Sequence, residues 1–198
     1  MAGPADLICG AIQEFDAAKF RRRYQCRDLT VRGLILEQLP NTTRWHQPGI
    51  WMRREALNAV DLDLESHYRF DYELLIRFLR RFPDVRYLHD TLAYFRLHST
   101  SKTVSLGPRF RVEHLQILER LAAEPEFADY RDDLAFGHRI VSWLQRIDAL
   151  LTDFDRPRLE RLGEIVRAIR EDPAARNTRN TRRAMRRILL KGGKRPRG

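Results

Sequence analysis

The spacing of apolar positions divides the chain into a mixed segment and a helical one. Asp6-Leu7-Ile8-Cys9-Gly10 reads as a short strand that ends at a glycine turn. Residues 15–30 are polar and basic around Arg21-Arg22-Arg23 and predict an exposed loop. From Val31 to Leu39 the apolar side chains fall at 31, 34, 35 and 39, a helical spacing that Pro40 ends. Gln47 to Trp51 is expected to be extended, because Pro48 turns its predecessor away from helix. A short helix follows from Arg53 to Val60, then a loop from Asp61 to Arg69. Asp71 to Phe82 predicts an amphipathic helix with Leu74, Leu75, Phe78, Leu79 and Phe82 on one face. Its acidic start and basic end suit the helix dipole, and Pro83 stops it. Val85 to Leu88 and Leu92 to Leu97 predict two strands with a turn at His89-Asp90.

Beyond Gly107-Pro108 the pattern is helical only. Helices are expected at about 110–123, at about 128–151, and from Asp155 as cap with Pro157 in the first turn. A short helix is possible on spacing at 180–190, and Gly192-Gly193 and Pro196 predict loose final residues. The expected division is 1–107, 108–172 and a basic, flexible tail at 173–198. The first part has few strands and one well-formed helix, so it reads as a partial α/β half-domain followed by a helical region.

Charge sharpens this division. The net charge of +10 is concentrated at one end. Residues 176–198 carry ten basic side chains and no acidic one. Taking those ten from the 37 basic residues leaves the body at 27 basic against 27 acidic. The high isoelectric point therefore describes a basic end on a neutral body, and it argues against a nucleic-acid-binding domain. Arginines beside Met185, Ile188, Leu189 and Leu190 suit an anionic membrane surface, with nucleic acid as the other polyanion and a solvated tail as the plain alternative. No 18-residue apolar run and no secretory leader pattern stand out. The two cysteines, Cys9 and Cys26, are too few for a disulfide framework and read as plain thiols in a reducing cytosol.

The candidate chemistry lies at Asp71 and in the segment 95–103. A carboxylate at a helix start is held near the surface, where it can take a proton. It can equally cap the helix, a role worth about 1 kcal/mol. Glu73 reads as a solvated side chain. Arg96, Ser101 and Lys102 supply donors suited to phosphate oxygens, and His98 reads either as a structural imidazole or as a ligand. Asp61-Leu62-Asp63 and Asp153-Phe154-Asp155 have the form of a metal-binding acidic triplet. The first follows a helical stretch and the second lies at a helix cap, so neither reads as a metal site.

These residues carry a resemblance. Gln47-Pro48-Gly49-Ile50-Trp51-Met52-Arg53-Arg54, then Leu62 to Tyr68, then the Asp71-to-Arg77 helix with Leu75 where the family has Trp, then Phe95 to Thr103 resemble the C-terminal half of the catalytic domain of family 2 glycosyltransferases. Asp6 to Gly10 resembles a further strand of that family, with Cys9 in place of Tyr. The resemblance covers about half the chain. It implies a partial glycosyltransferase A-type (Rossmann-like) fold and an inverting transfer of sugar from a nucleotide-sugar donor to an acceptor hydroxyl. Asp71 would be the catalytic base. Gln47, Trp51, Arg96, Ser101 and Lys102 would line the substrate site, and His98 would contact a divalent metal, Mg²⁺ or Mn²⁺, or the diphosphate. The acceptor would be a glycan or a lipid-linked sugar of the cell envelope, met in the cytoplasm or at the inner membrane face. The nucleotide-binding strands and their metal-holding acidic motif would lie before residue 1. The alternative is a non-catalytic remnant or binding module whose basic end is the working part.

Overall fold

The computed structural model describes residues 5–16, 19–61, 66–97 and 107–191. The described residues form a mixed α/β structure with a four-stranded sheet and several helices. It divides into two compact units, residues 1–37 with 42–113 and residues 38–41 with 114–198.

In the first unit β1 (Leu7–Phe15) is the central strand. One of its edges pairs antiparallel with β2 (Phe20–Tyr24) and with β3 (Ile50–Met52), in the registers Ile12 to Tyr24 and Leu7 to Met52. Its other edge pairs in parallel with β4 (Val85–Arg96), from Leu7 opposite Val85 to Phe15 opposite Arg96. Burial from both sides explains the nearly continuous apolar run Leu7 to Ile12.

Four expectations about the strands are corrected. The strand expected to end at a turn at Gly10 runs through it to Phe15, since β4 pairs with it along its length. Of the stretch Gln47 to Trp51 expected to be extended, Gln47–Gly49 is a 3₁₀ turn and the strand begins at Ile50. The basic run that reads as a loop forms β2, an exposed edge strand. Its backbone pairing with β1 holds it, and the turn is closed by Asp16, which accepts from the Lys19 amide at 3.1 Å. Arginines on an edge strand also oppose pairing with another chain. The expected turn at His89-Asp90 is instead an irregularity inside one continuous strand. Between Cys9 and Ile12 on β1 the partner advances from Tyr87 to Ala93, which places extra residues on β4. Gly10 makes this possible, since a Cβ there would lie 2.4 Å from Leu92 Cγ.

Among the described residues, four α-helices belong wholly or partly to this unit. They are α1 (Val31–Ile35), α2 (Arg54–Asn58), α3 (Phe70–Arg81) and the start of α4 (Gly107–Ala123). α1 is shorter than its spacing predicts. Thr30 caps it by accepting from the Gly33 amide, and Leu36 already leaves helical backbone. α3 supplies the core residues Tyr72, Leu75, Ile76, Phe78 and Leu79, and the Tyr72 hydroxyl donates to the Leu34 carbonyl of α1 at 3.3 Å. Glu73 lies on the same buried side, only 1% exposed, paired with Arg77 at 2.8 Å and accepting from Ser66 Oγ. It is not the solvated side chain that its charge suggests.

Cys9 and Cys26 are joined as a disulfide with Cα atoms 5.9 Å apart. This overturns the reading of two free thiols and removes the support it lent to a reducing compartment. Among the described residues no helix is long and apolar enough to cross a membrane.

The second unit is helical. The end of α4 is followed by a 3₁₀ turn (Pro125–Tyr130), then α5 (Arg131–Thr152), α6 (Arg158–Glu171), α7 (Pro173–Asn177) and α8 (Arg179–Lys191). Ile117, Leu121, Phe127, Leu144, Ile147 and Ile165 are buried in its core. Pro157, not Asp155, occupies the cap position of α6. In place of a flexible tail from residue 173, α7 and α8 are packed. Asp172 caps α7 through the Ala174 amide, and Thr181 of α8 accepts from Trp143 Nε1 at 2.9 Å. A neutral patch of Ala184, Thr181 and Ile188 makes this packing possible amid the arginines.

Candidate functional site

The site is built on the N-terminal turn of α3. That turn has no side-chain cap of its own. The amides just before it instead converge on one carboxylate from α4. Glu113 accepts from the amides of His67 at 3.0 Å, Tyr68 at 2.8 Å and Arg69 at 2.6 Å. This anchor fixes the chain that leads into the helix through charge-assisted hydrogen bonds.

Asp71 lies in the helical turn that follows these amides. It sits in the second helical position, and Oδ1 accepts from the adjacent Tyr72 amide at 2.8 Å. The side chain is half-buried, and burial pushes its carboxyl above the usual carboxylate range. The Tyr72 amide and the Arg69 guanidinium oppose that rise, while Glu37 adds to it.

Two clefts meet at this carboxylate. One, of about 260 Å³, is lined by Trp45, Gln47, Trp51, Phe70, Asp71 and Leu74 among others. Trp51 and Phe70 are largely open to solvent, Trp51 at 60% exposure. The other, of about 290 Å³, is lined by Trp45, His46, Gln47, Pro48, Asp71 and Phe95. Trp45, Gln47 and Asp71 border both. The segment 45–51 reaches the site because Gly49 lies against β1, where a Cβ would come within 2.9 Å of the Gly10 carbonyl oxygen.

A half-buried carboxylate positions the aromatic wall. Glu37 Oε2 accepts from Trp45 Nε1 at 2.9 Å, and Oε1 pairs with Arg69, whose guanidinium covers the Tyr72 ring at 4.2 Å. His46 stands edge-on to Phe95 with ring centres 4.7 Å apart. Its Nδ1 is buried with no hydrogen-bond partner among the described residues. Burial lowers its pKa, against the pull of Glu14 and Asp71, so the imidazole is held neutral.

Of the residues singled out in the sequence, the structure brings Asp71, Gln47 and Trp51 together. Arg96 ends β4 exposed, opposite Phe15, and borders neither cleft; strand alternation turns it from the face that Phe95 presents. His98, Ser101 and Lys102 lie outside the described residues. Trp45, His46, Glu37 and Phe70 were not singled out. The first two adjoin Gln47 in sequence, but nothing in the spacing marks Glu37. Asp61 is exposed and faces Arg81 at 3.8 Å, and Asp153 pairs with Arg156 at 3.1 Å. Among the described residues no three His, Cys, Asp or Glu side chains come together that could hold a metal ion.

No protein-family model, no curated protein and no solved structure matches the chain.

Proposed function

We propose that the two clefts at Asp71 form the acceptor side of a sugar-transfer centre, with Asp71 as the base. The observation that carries this reading is one half-buried carboxylate, raised in pKa, on the border of two clefts walled by Trp45, Trp51 and Phe95. A carboxyl whose pKa rises toward working pH is a better proton acceptor than an ordinary surface aspartate. Aromatic walls with a few polar groups suit the apolar face of a pyranose, and Gln47 supplies an amide that can hydrogen-bond its hydroxyls.

In this reading an acceptor hydroxyl lies against the Asp71 carboxylate. The carboxylate takes its proton as the oxygen attacks the anomeric carbon of a nucleotide-sugar donor, and the nucleoside diphosphate leaves with the bonding pair. The configuration inverts. The neutral His46 at the second cleft offers either an N–H donor or a lone pair to the bound sugar without adding charge. No step is assigned to a metal. The ordered likeness of residues 47–54, 71–77 and 95–103 to family 2 glycosyltransferases supports the same assignment and a glycosyltransferase A-type fold. Label transfer from a panel of nucleotide sugars to glycan and lipid-linked acceptors tests it, with Asp71→Asn as the diagnostic variant.

A further inference from the structure

The second unit carries a surface that the sugar-transfer reading does not use. Helix α8 buries Thr181, Ala184 and Ile188 against its own unit. Helical spacing places Arg182, Arg183, Arg186, Arg187, Leu189 and Leu190 together on the opposite, solvent side. All six are exposed, Leu189 at 58% and Leu190 at 71%. No carboxylate among the described residues pairs with any of the four arginines, and residues 173–191 contain no acidic residue.

We propose that this face of α8 docks on an anionic lipid surface. Two neighbouring leucines left in water at the end of a packed helix gain by entering the acyl boundary. The four arginines flank them one and two turns back, where their aliphatic stems can lie along the interface and their guanidinium groups can reach lipid phosphates. The packed face rules out burial of the whole helix, so α8 lies on the membrane and does not cross it. A nucleic acid would use the arginines alone and would leave the leucines exposed, and the face has no aromatic side chain on which a base could stack. The combination of charge and apolar tip favours lipid.

The test uses the full chain with sucrose-loaded vesicles, either pure phosphatidylcholine or 30% phosphatidylglycerol. Wild type sediments with the anionic vesicles and stays in solution with the neutral ones. Each basic residue near an anionic surface is worth a factor of roughly five in partition, so Arg183→Gln/Arg186→Gln/Arg187→Gln weakens binding about 100-fold. Leu189→Ser/Leu190→Ser weakens it at least about tenfold. Because all five positions are solvent-facing, both variants should keep the wild-type circular dichroism and melting transition. Absence of binding to anionic vesicles overturns the proposal. So does full binding by the leucine variant, or binding to a 30-base-pair DNA duplex that the leucine variant retains and that outcompetes vesicles. Loss of sugar transfer in a variant that still binds vesicles leaves the docking intact, since the two claims rest on different units.

Discussion

The Trp45 indole donates to Glu37 Oε2 at 2.9 Å, and this bond ties an aromatic wall shared by both clefts to the carboxylate that pairs with Arg69 at the start of α3. The same carboxylate holds Arg69, whose side chain is 16% exposed against 12% for Glu37. Glu37→Ala thus leaves a nearly buried guanidinium without its partner and frees the indole. Destabilisation of about 3 kcal/mol is expected in urea unfolding, with a red shift of tryptophan emission in the native state. An unchanged midpoint with unchanged emission would remove Glu37 from this role.

Asp71 carries a stability cost of its own. Its carboxyl is raised above the usual value near 3.8, chiefly by burial. Between that value and the higher native one, the folded protein holds a proton that the unfolded chain has lost, so stability falls as pH rises through the window. Asp71→Asn removes the ionisation and keeps an oxygen for the Tyr72 amide. The variant should melt at or above the wild-type temperature at pH 7, and the gap should close as the pH is lowered toward 4. A lower melting temperature at pH 7 would mean that the carboxylate is structural.

The Cys9–Cys26 bond closes a loop with a sequence separation of 17. Chain-entropy reasoning gives it about 3 kcal/mol. Native protein should show no thiol titratable with Ellman's reagent, and reduction should lower the denaturant midpoint. Two reactive or titratable thiols in unreduced, unfolded protein would contradict the pairing.

Glu113 is the anchor for the chain ahead of α3. Glu113→Gln keeps its size and removes the charge that three amides share. A loss of about 1.5–3 kcal/mol is expected, together with faster hydrogen exchange of the amides of His67, Tyr68 and Arg69. Unaltered protection at these three amides would show that another group holds them.

Much of this was legible in advance, and the rest failed for physical reasons. α3 announces itself because five apolar side chains keep helical spacing between an acidic start and Pro83. The strand at Leu7 is legible because it is buried on both sides. β2 is not, since an edge strand of Phe-Arg-Arg-Arg-Tyr buries almost nothing and is held by backbone pairing. The end of the chain misleads in the opposite sense. Its arginines dominate the composition, while three small or apolar residues one turn apart decide that α8 packs. At the site, Asp71, Gln47 and Trp51 were identified from motif order, whereas Glu37 acts across 32 residues on Arg69, a relation no local pattern contains. The disulfide escaped for the same reason. Only the pairing of β1 and the return of the chain after β2 bring Cys26 to Cys9.

The most direct test of the central claim is sugar transfer by wild type and by Asp71→Asn, measured with labelled nucleotide sugars and both glycan and lipid-linked acceptors. Loss of a general base predicts a fall in kcat of about 10²–10⁴-fold. The acceptor KM should change little, and the variant's melting temperature should not fall. Transfer by Asp71→Asn at the wild-type rate, or no transfer from any donor by folded wild type, would contradict the account.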